Sequence, residues 1–120
     1  MIASGSRPGA AESVTAYLFR SRAATSISAL LTDVDAKRLA GVDYSRYAVA
    51  LVVAPFPTCG WSVRVRAAER SGVRLRVSFV AEPPAKGSLV CQALTRGYAA
   101  VRVPRAQIRG IVRAVAVRAQ

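Results

Sequence analysis

The chain has no histidine, six carboxylates and two cysteines, and each shortage removes a class of chemistry. Without histidine, the usual base for a serine or cysteine nucleophile is missing, and Cys59 has no nameable partner to activate it. Two cysteines with no histidine cannot complete a four-ligand zinc site. Asp33 and Asp35 lie two apart on an expected helix, so they do not share a face as a paired acid and base. The Gly-rich, Lys-Ser/Thr pattern that cradles phosphate does not occur. These shortages predict a non-enzyme with no metal and no cofactor.

Long apolar runs are missing too. No stretch approaches the ~20 residues that a membrane-spanning helix needs. Met1–Ala10 places polar and turn residues where a secretion signal has its apolar centre. The chain as given is expected to be soluble, without a transmembrane segment. An export segment lost upstream is left open, so compartment and oligomeric state are not fixed by these residues.

What is present is arginine and small apolar residues. The 120 residues carry a net charge of +12, and only Lys37 and Lys86 are lysine. Such a balance favours nucleic acid, an anionic lipid or an acidic protein as partner. Mutational bias in a GC-rich genome, which raises Arg and Ala together, gives the same composition. Hydrophobic residues make up 52%, enough for one folded domain with a real core.

Met1–Glu12, rich in Ser, Gly and Ala, reads as a flexible N-terminal arm, leaving 13–120 as a single domain. Val14–Arg20 has the β-branched and aromatic content of a strand. Ile27, Leu30, Leu31, Val34 and Leu39 recur at helical spacing, which predicts a helix over about 26–39. Thr25 or Ser26 can cap its start and Gly41 is placed to end it. Asp33, Asp35, Lys37 and Arg38 fall mostly off the apolar stripe, so the helix is expected to cover a sheet.

From Val42 onward the pattern is β. Tyr47–Ala54 is apolar without alternation, the mark of a strand buried on both faces. Trp61–Ala68 alternates, with Trp61, Val63 and Val65 inward and Arg64 and Arg66 outward. Glu69–Gly72 makes a turn. Val73–Ala81 returns with Val73, Leu75, Val77 and Phe79 inward and Arg74 and Arg76 outward, completing a hairpin. Glu82–Gly87 is a loop and Ser88–Leu94 a short or irregular strand. Thr95–Arg96–Gly97 is another turn, and Tyr98–Val103 and Ile111–Val117 are the last strands. The expected fold is mainly β (α+β): a small β-sandwich or open barrel of six to seven antiparallel strands with one N-terminal amphipathic helix.

The chain is organised around Ala54–Trp61, read A-P-F-P-T-C-G-W. Its prolines fix their own φ and extend the residues before them, and Gly60 lets the backbone turn. A stiff loop projecting from a sheet end follows, with Thr58 and Cys59 near its tip, although an ordinary strand connection uses the same chemistry. Trp61, at the first inward position of a strand, reads as core before it reads as a binding anchor, and Tyr98 reads similarly, with its hydroxyl reaching the surface. On the hairpin, Arg64, Arg66, Arg74 and Arg76 share an outer face that could track phosphates. That face carries no aromatic ring for base stacking, so a solvated sheet face deterring edge association is the plainer reading.

Val42–Asp43–Tyr44–Ser45–Arg46–Tyr47, an apolar strand, and Pro57–Thr58–Cys59–Gly60–Trp61 together resemble the PrcB C-terminal domain family, named for a bacterial protease-complex subunit. That family's pattern runs V-D-[FY]-[ST]-K, a buried strand, P-T-G-G-Y, a hairpin, a proline-containing loop, Q-x-x-T-x-P-Y, a final strand and I-P-K. Gln92–Ala93–Leu94–Thr95–Arg96–Gly97–Tyr98 and Val103–Pro104–Arg105 occupy the later places. Cys59 stands where the family has glycine, Trp61 where it has tyrosine and Gly97 where it has proline. A more distant similarity is to the chagasin-type cysteine-protease inhibitors, whose first loop is N-P-T-T-G-[FY] and third R-P-[WFY]. Phe56–Trp61 and Arg96–Tyr98 resemble these except at Phe56, Cys59 and Gly97.

What the resemblance implies is a protein-interaction module that binds a protease or envelope protein outside the cytoplasm through its loop end. Phe56, Pro57, Thr58, Cys59, Gly60, Trp61, Arg96, Gly97 and Tyr98 are then the binding residues, side by side at one rim. A stiff loop of this kind loses little entropy on docking. The alternative is nucleic-acid or anionic-surface binding through the arginine face. Cys59 and Cys91 are read as a disulfide tying two loops, with two unrelated thiols as the other reading.

Overall fold

The computed structural model describes residues 3–8, 13–21, 31–88 and 91–119. Among them, seven strands form two sheets beside one α-helix. The strands are β1 (Ala3–Pro8), β2 (Thr15–Phe19), β3 (Tyr47–Phe56), β4 (Ser62–Ser71), β5 (Arg74–Glu82), β6 (Thr95–Pro104) and β7 (Arg113–Arg118), and the helix is α1 (Asp33–Ala40). One sheet has the order β1-β6-β3-β2 and the other β4-β5-β7. They pack face to face as a sandwich, and α1 lies on the outer face of the first sheet. No helix among the described residues is long and apolar enough to cross a membrane.

The unalternating run in β3 follows from this three-layer order. Ala48, Ala50, Val52, Ala54 and Phe56 face the second sheet, where they meet Val63, Leu75, Val77 and Phe79. Val49, Leu51 and Val53 face the helix side, with Leu31, Leu39, Phe19 and Tyr98. A strand covered on both faces has no solvent side to make polar.

Several expectations are corrected. Ala3–Pro8 is not an arm but an edge strand, because Ala3 through Pro8 pair in register with Ala100 back to Thr95 of β6. β7 is not antiparallel: β6 ends at the same end of the sandwich at which β5 begins, so β7 starts there and runs parallel to β5. The helix starts at Asp33, capped by the Thr32 hydroxyl, which accepts from the Asp35 N–H. Thr25, Ser26, Ile27 and Leu30 lie outside the described residues. The buried face of α1 is Asp35 and Leu39, in line with the buried Leu31 just before the cap, rather than Val34, which is 61% exposed. Gly41 does end α1, in a right-handed conformation.

The hairpin forms as expected, with Val63, Leu75, Val77 and Phe79 buried. Its turn is tighter than Glu69–Gly72, because β4 continues to Ser71 and the chain reverses at Gly72–Val73. Val73 therefore sits in the turn and is exposed. Arg66 is the extra residue of a β-bulge between Val65 and Ala67, which shifts the alternation along the rest of β4.

Candidate functional site

Two connections meet at the end of the sandwich where β3 stops and β6 starts: 57–61, between β3 and β4, and the β5–β6 connection, described over 83–88 and 91–94. Pro57 and Gly60 are exposed on the first, while Thr58, Cys59 and Trp61 are half-buried. Gly60 has φ 92°, a left-handed conformation that a side chain resists. It sends the chain from one sheet to the other. The Trp61 indole stacks on the Phe56 ring, with centroids 5.0 Å apart and planes 7° from parallel. Both rings pack on the core between the sheets.

The loop is tied to its neighbour twice. The Thr95 hydroxyl donates to the Thr58 carbonyl at 2.8 Å. The sulfurs of Cys59 and Cys91 are in bonding contact, with Cα atoms 5.3 Å apart, so the two connections are joined at their tips. Beside them Gln92, Ala93 and Leu94 are exposed, and Leu94 leaves an apolar side chain 57% accessible.

The expected turn at Thr95–Arg96–Gly97 is part of β6, and this relocates three candidate residues. Gly97 pairs with Ala54 and is buried, and a Cβ on it would stand 2.7 Å from Phe56 Cε2 and 3.0 Å from Val63 Cγ2. A bare backbone at this point is what lets the Phe56 ring settle over β6. Tyr98 is fully buried and points to the opposite face. Its hydroxyl donates to Asp35 Oδ2 at 2.5 Å and lies 3.1 Å from the Thr32 hydroxyl. Burial pushes its pKa up, and the bond to Asp35 adds to the rise. Arg96 is half-buried, and its Nε has no hydrogen-bond partner among the described residues. Gly97 and Tyr98 are thus buried in β6, next to the Phe56–Trp61 loop. The exposed residues on this side of the end are Gln92, Ala93 and Leu94.

At the opposite end the remaining motifs also meet. Asp43 accepts from the Ser45 N–H at 3.1 Å and the Ser45 hydroxyl at 2.5 Å, closing the turn into β3. These bonds hold the Asp43 carboxyl below its ordinary value. The Tyr44 hydroxyl donates to the Leu39 carbonyl at 2.8 Å. Arg105, just past Pro104, donates from Nε at 2.9 Å and from a terminal nitrogen at 2.6 Å to the Tyr44 carbonyl. The Arg105 N–H donates to the Arg46 carbonyl at 3.0 Å.

The hairpin arginines Arg64, Arg66, Arg74 and Arg76 are all exposed on the second sheet. Arg64 lies 3.4 Å from Glu82, and Glu69 is the cross-strand neighbour of Arg76. The face is therefore basic but partly compensated.

The class these features define is a small helix-covered β-sandwich whose two central strands, β3 and β6, are fastened to each other at both ends. Residues 47–104, spanning that pair and the hairpin between, match the family model described as PrcB C-terminal. The match begins and ends where Tyr47 and Pro104 are paired across β3 and β6. No curated protein matches the chain, and neither does any solved structure.

Proposed function

We propose that the protein is a non-catalytic interaction module of a protease-associated assembly, binding a protein partner through the rim formed by Pro57–Trp61 and Cys91–Leu94. The match to the PrcB C-terminal family supports the protease association. The observation that carries the choice of surface is the linked pair of loops. A Pro/Gly elbow bonded to Thr95 and joined through Cys59 to Cys91 presents exposed Pro57, Gly60 and Leu94 at low entropic cost. The likeness of Phe56–Trp61 to the first loop of chagasin-type inhibitors supports the same rim, with a protease cleft as one form of partner.

The test is co-purification of peptidase activity with the tagged chain from cells of its own host. Thr58→Arg and Leu94→Asp are expected to abolish it, and Arg74→Glu to leave it intact. Equal loss from Arg74→Glu would move the site to the basic face. Binding there, to nucleic acid or another polyanion, would instead show a steep fall of affinity with salt.

A further inference from the structure

Far from the loop rim, the end of the sandwich around Gly110 gathers a second arginine set that the hairpin face does not include. A shallow cavity there is lined by Arg20, Arg105, Ile108, Arg109 and Gly110. Arg70 reaches the same place, its guanidinium 3.3 Å from where a Cβ on Gly110 would stand. No carboxylate lines the cavity among the described residues. Two of the four cations are held in position by backbone carbonyls. Arg20 donates to Ile111, and Arg105 donates to Tyr44 and Arg20. Each spends part of its fork this way and keeps other N–H donors unassigned. The guanidinium groups of Arg70 and Arg109 have no hydrogen-bond or ion-pair partner among the described residues.

Fixed guanidinium groups without a counter-charge call for an oxyanion. The neighbouring surface says what kind of molecule carries it. Val112 is 71% exposed and Val73 57%. The two are joined by a 2.7 Å bond from the Val112 N–H to the Val73 carbonyl. Arg74 and Arg113 pair in register immediately beyond them. Two protruding valines ringed by arginines suit an interface that is anionic at its surface and apolar just beneath. Duplex nucleic acid offers the first without the second.

We propose that this end of the sandwich seats on an anionic phospholipid surface. Arg20, Arg70, Arg105 and Arg109 take headgroup phosphates while Val73 and Val112 dip below them. β3 and β5 run lengthwise between the two ends, and a ten-residue strand spans about 33 Å. The loop rim would then stand clear of the membrane.

The experiment is co-sedimentation of the chain with vesicles of phosphatidylcholine alone and of phosphatidylcholine with phosphatidylglycerol, with inorganic phosphate and a short DNA duplex as competitors. Binding is expected only where phosphatidylglycerol is present. The Arg70→Glu/Arg109→Glu double variant should bind at least about thirtyfold more weakly, given the worth of each cation near such a surface. Val112→Asp and Val73→Asp should each weaken it clearly, and both sites are exposed, so thermal unfolding should stay near wild type. Arg64→Glu/Arg76→Glu removes the same charge from the hairpin and should cost far less. Equal loss from the two charge pairs, or no effect of either valine change, overturns the proposal. So does displacement from the vesicles by either competitor at low concentration. None of these outcomes bears on the loop rim, which the Thr58 and Leu94 variants test separately.

Discussion

The Tyr98 hydroxyl and the Asp35 carboxylate share a buried 2.5 Å hydrogen bond that pins α1 to the central strand β6. Asp35 occupies the middle of the helix's inward face, a position its charge would forbid without that donor. Its other partner, Arg38, lies 3.4 Å away and is largely in solvent. Tyr98→Phe keeps the ring and removes the donor. A loss of about 1–3 kcal/mol is expected, read as a clear fall in thermal unfolding temperature with an unchanged β spectrum.

The same bond sets a pH dependence. Tyr98 titrates above its ordinary value of 10.0 in the folded chain, mainly through burial and then through Asp35. The unfolded state therefore gives up this proton first as the medium turns alkaline. The tyrosine's contribution is intact below pH about 10 and is lost as pH climbs through the higher folded value. Denaturant unfolding followed from neutral to strongly alkaline pH should show stability falling in that window, and Tyr98→Phe should flatten the fall.

Gly97 is expected to tolerate no side chain. Alanine there must push aside the Phe56 ring or Val63, both enclosed by the sandwich core. Gly97→Ala should cost about 1–3 kcal/mol through overpacking. Since Phe56 carries the Trp61 stack, tryptophan emission should shift with it.

Joining Cys59 to Cys91 closes a loop of 32 residues in sequence separation. Thiol titration without reductant should find no free group, and two after reduction. The Cys59→Ser/Cys91→Ser variant should be less stable by about 3–4 kcal/mol on the chain-entropy account. Two free thiols in the untreated protein would undo this link.

Much of the scaffold was legible because periodicity reports burial directly. The unalternating Tyr47–Ala54 run and the alternating hairpin gave the existence and inner faces of β3, β4 and β5, but not the bulge at Arg66 or the tighter turn that runs β4 on to Ser71 and exposes Val73. Ala3–Pro8 was not legible, since A-S-G-S-R-P has no apolar rhythm: it is an edge strand held by backbone pairing to β6. The inward turn of Asp35 was equally hidden, as its partner Tyr98 lies 63 residues away. Thr95–Gly97 carried turn composition, yet Gly97 is glycine for close packing and not for turning. The same strand carries Tyr98 inward with its hydroxyl buried on Asp35, where the sequence had that hydroxyl reaching the surface, and leaves Gln92–Leu94 exposed before it.

β3 and β6 are fastened at both ends, and in the proposed function they present Pro57–Trp61 and Cys91–Leu94 as one binding rim. Its most direct test compares co-purified peptidase activity for wild type, Leu94→Asp and Arg74→Glu, all confirmed as folded. Loss is expected with Leu94→Asp and wild-type recovery with Arg74→Glu. Recovery with Leu94→Asp, or loss with Arg74→Glu alone, would contradict it.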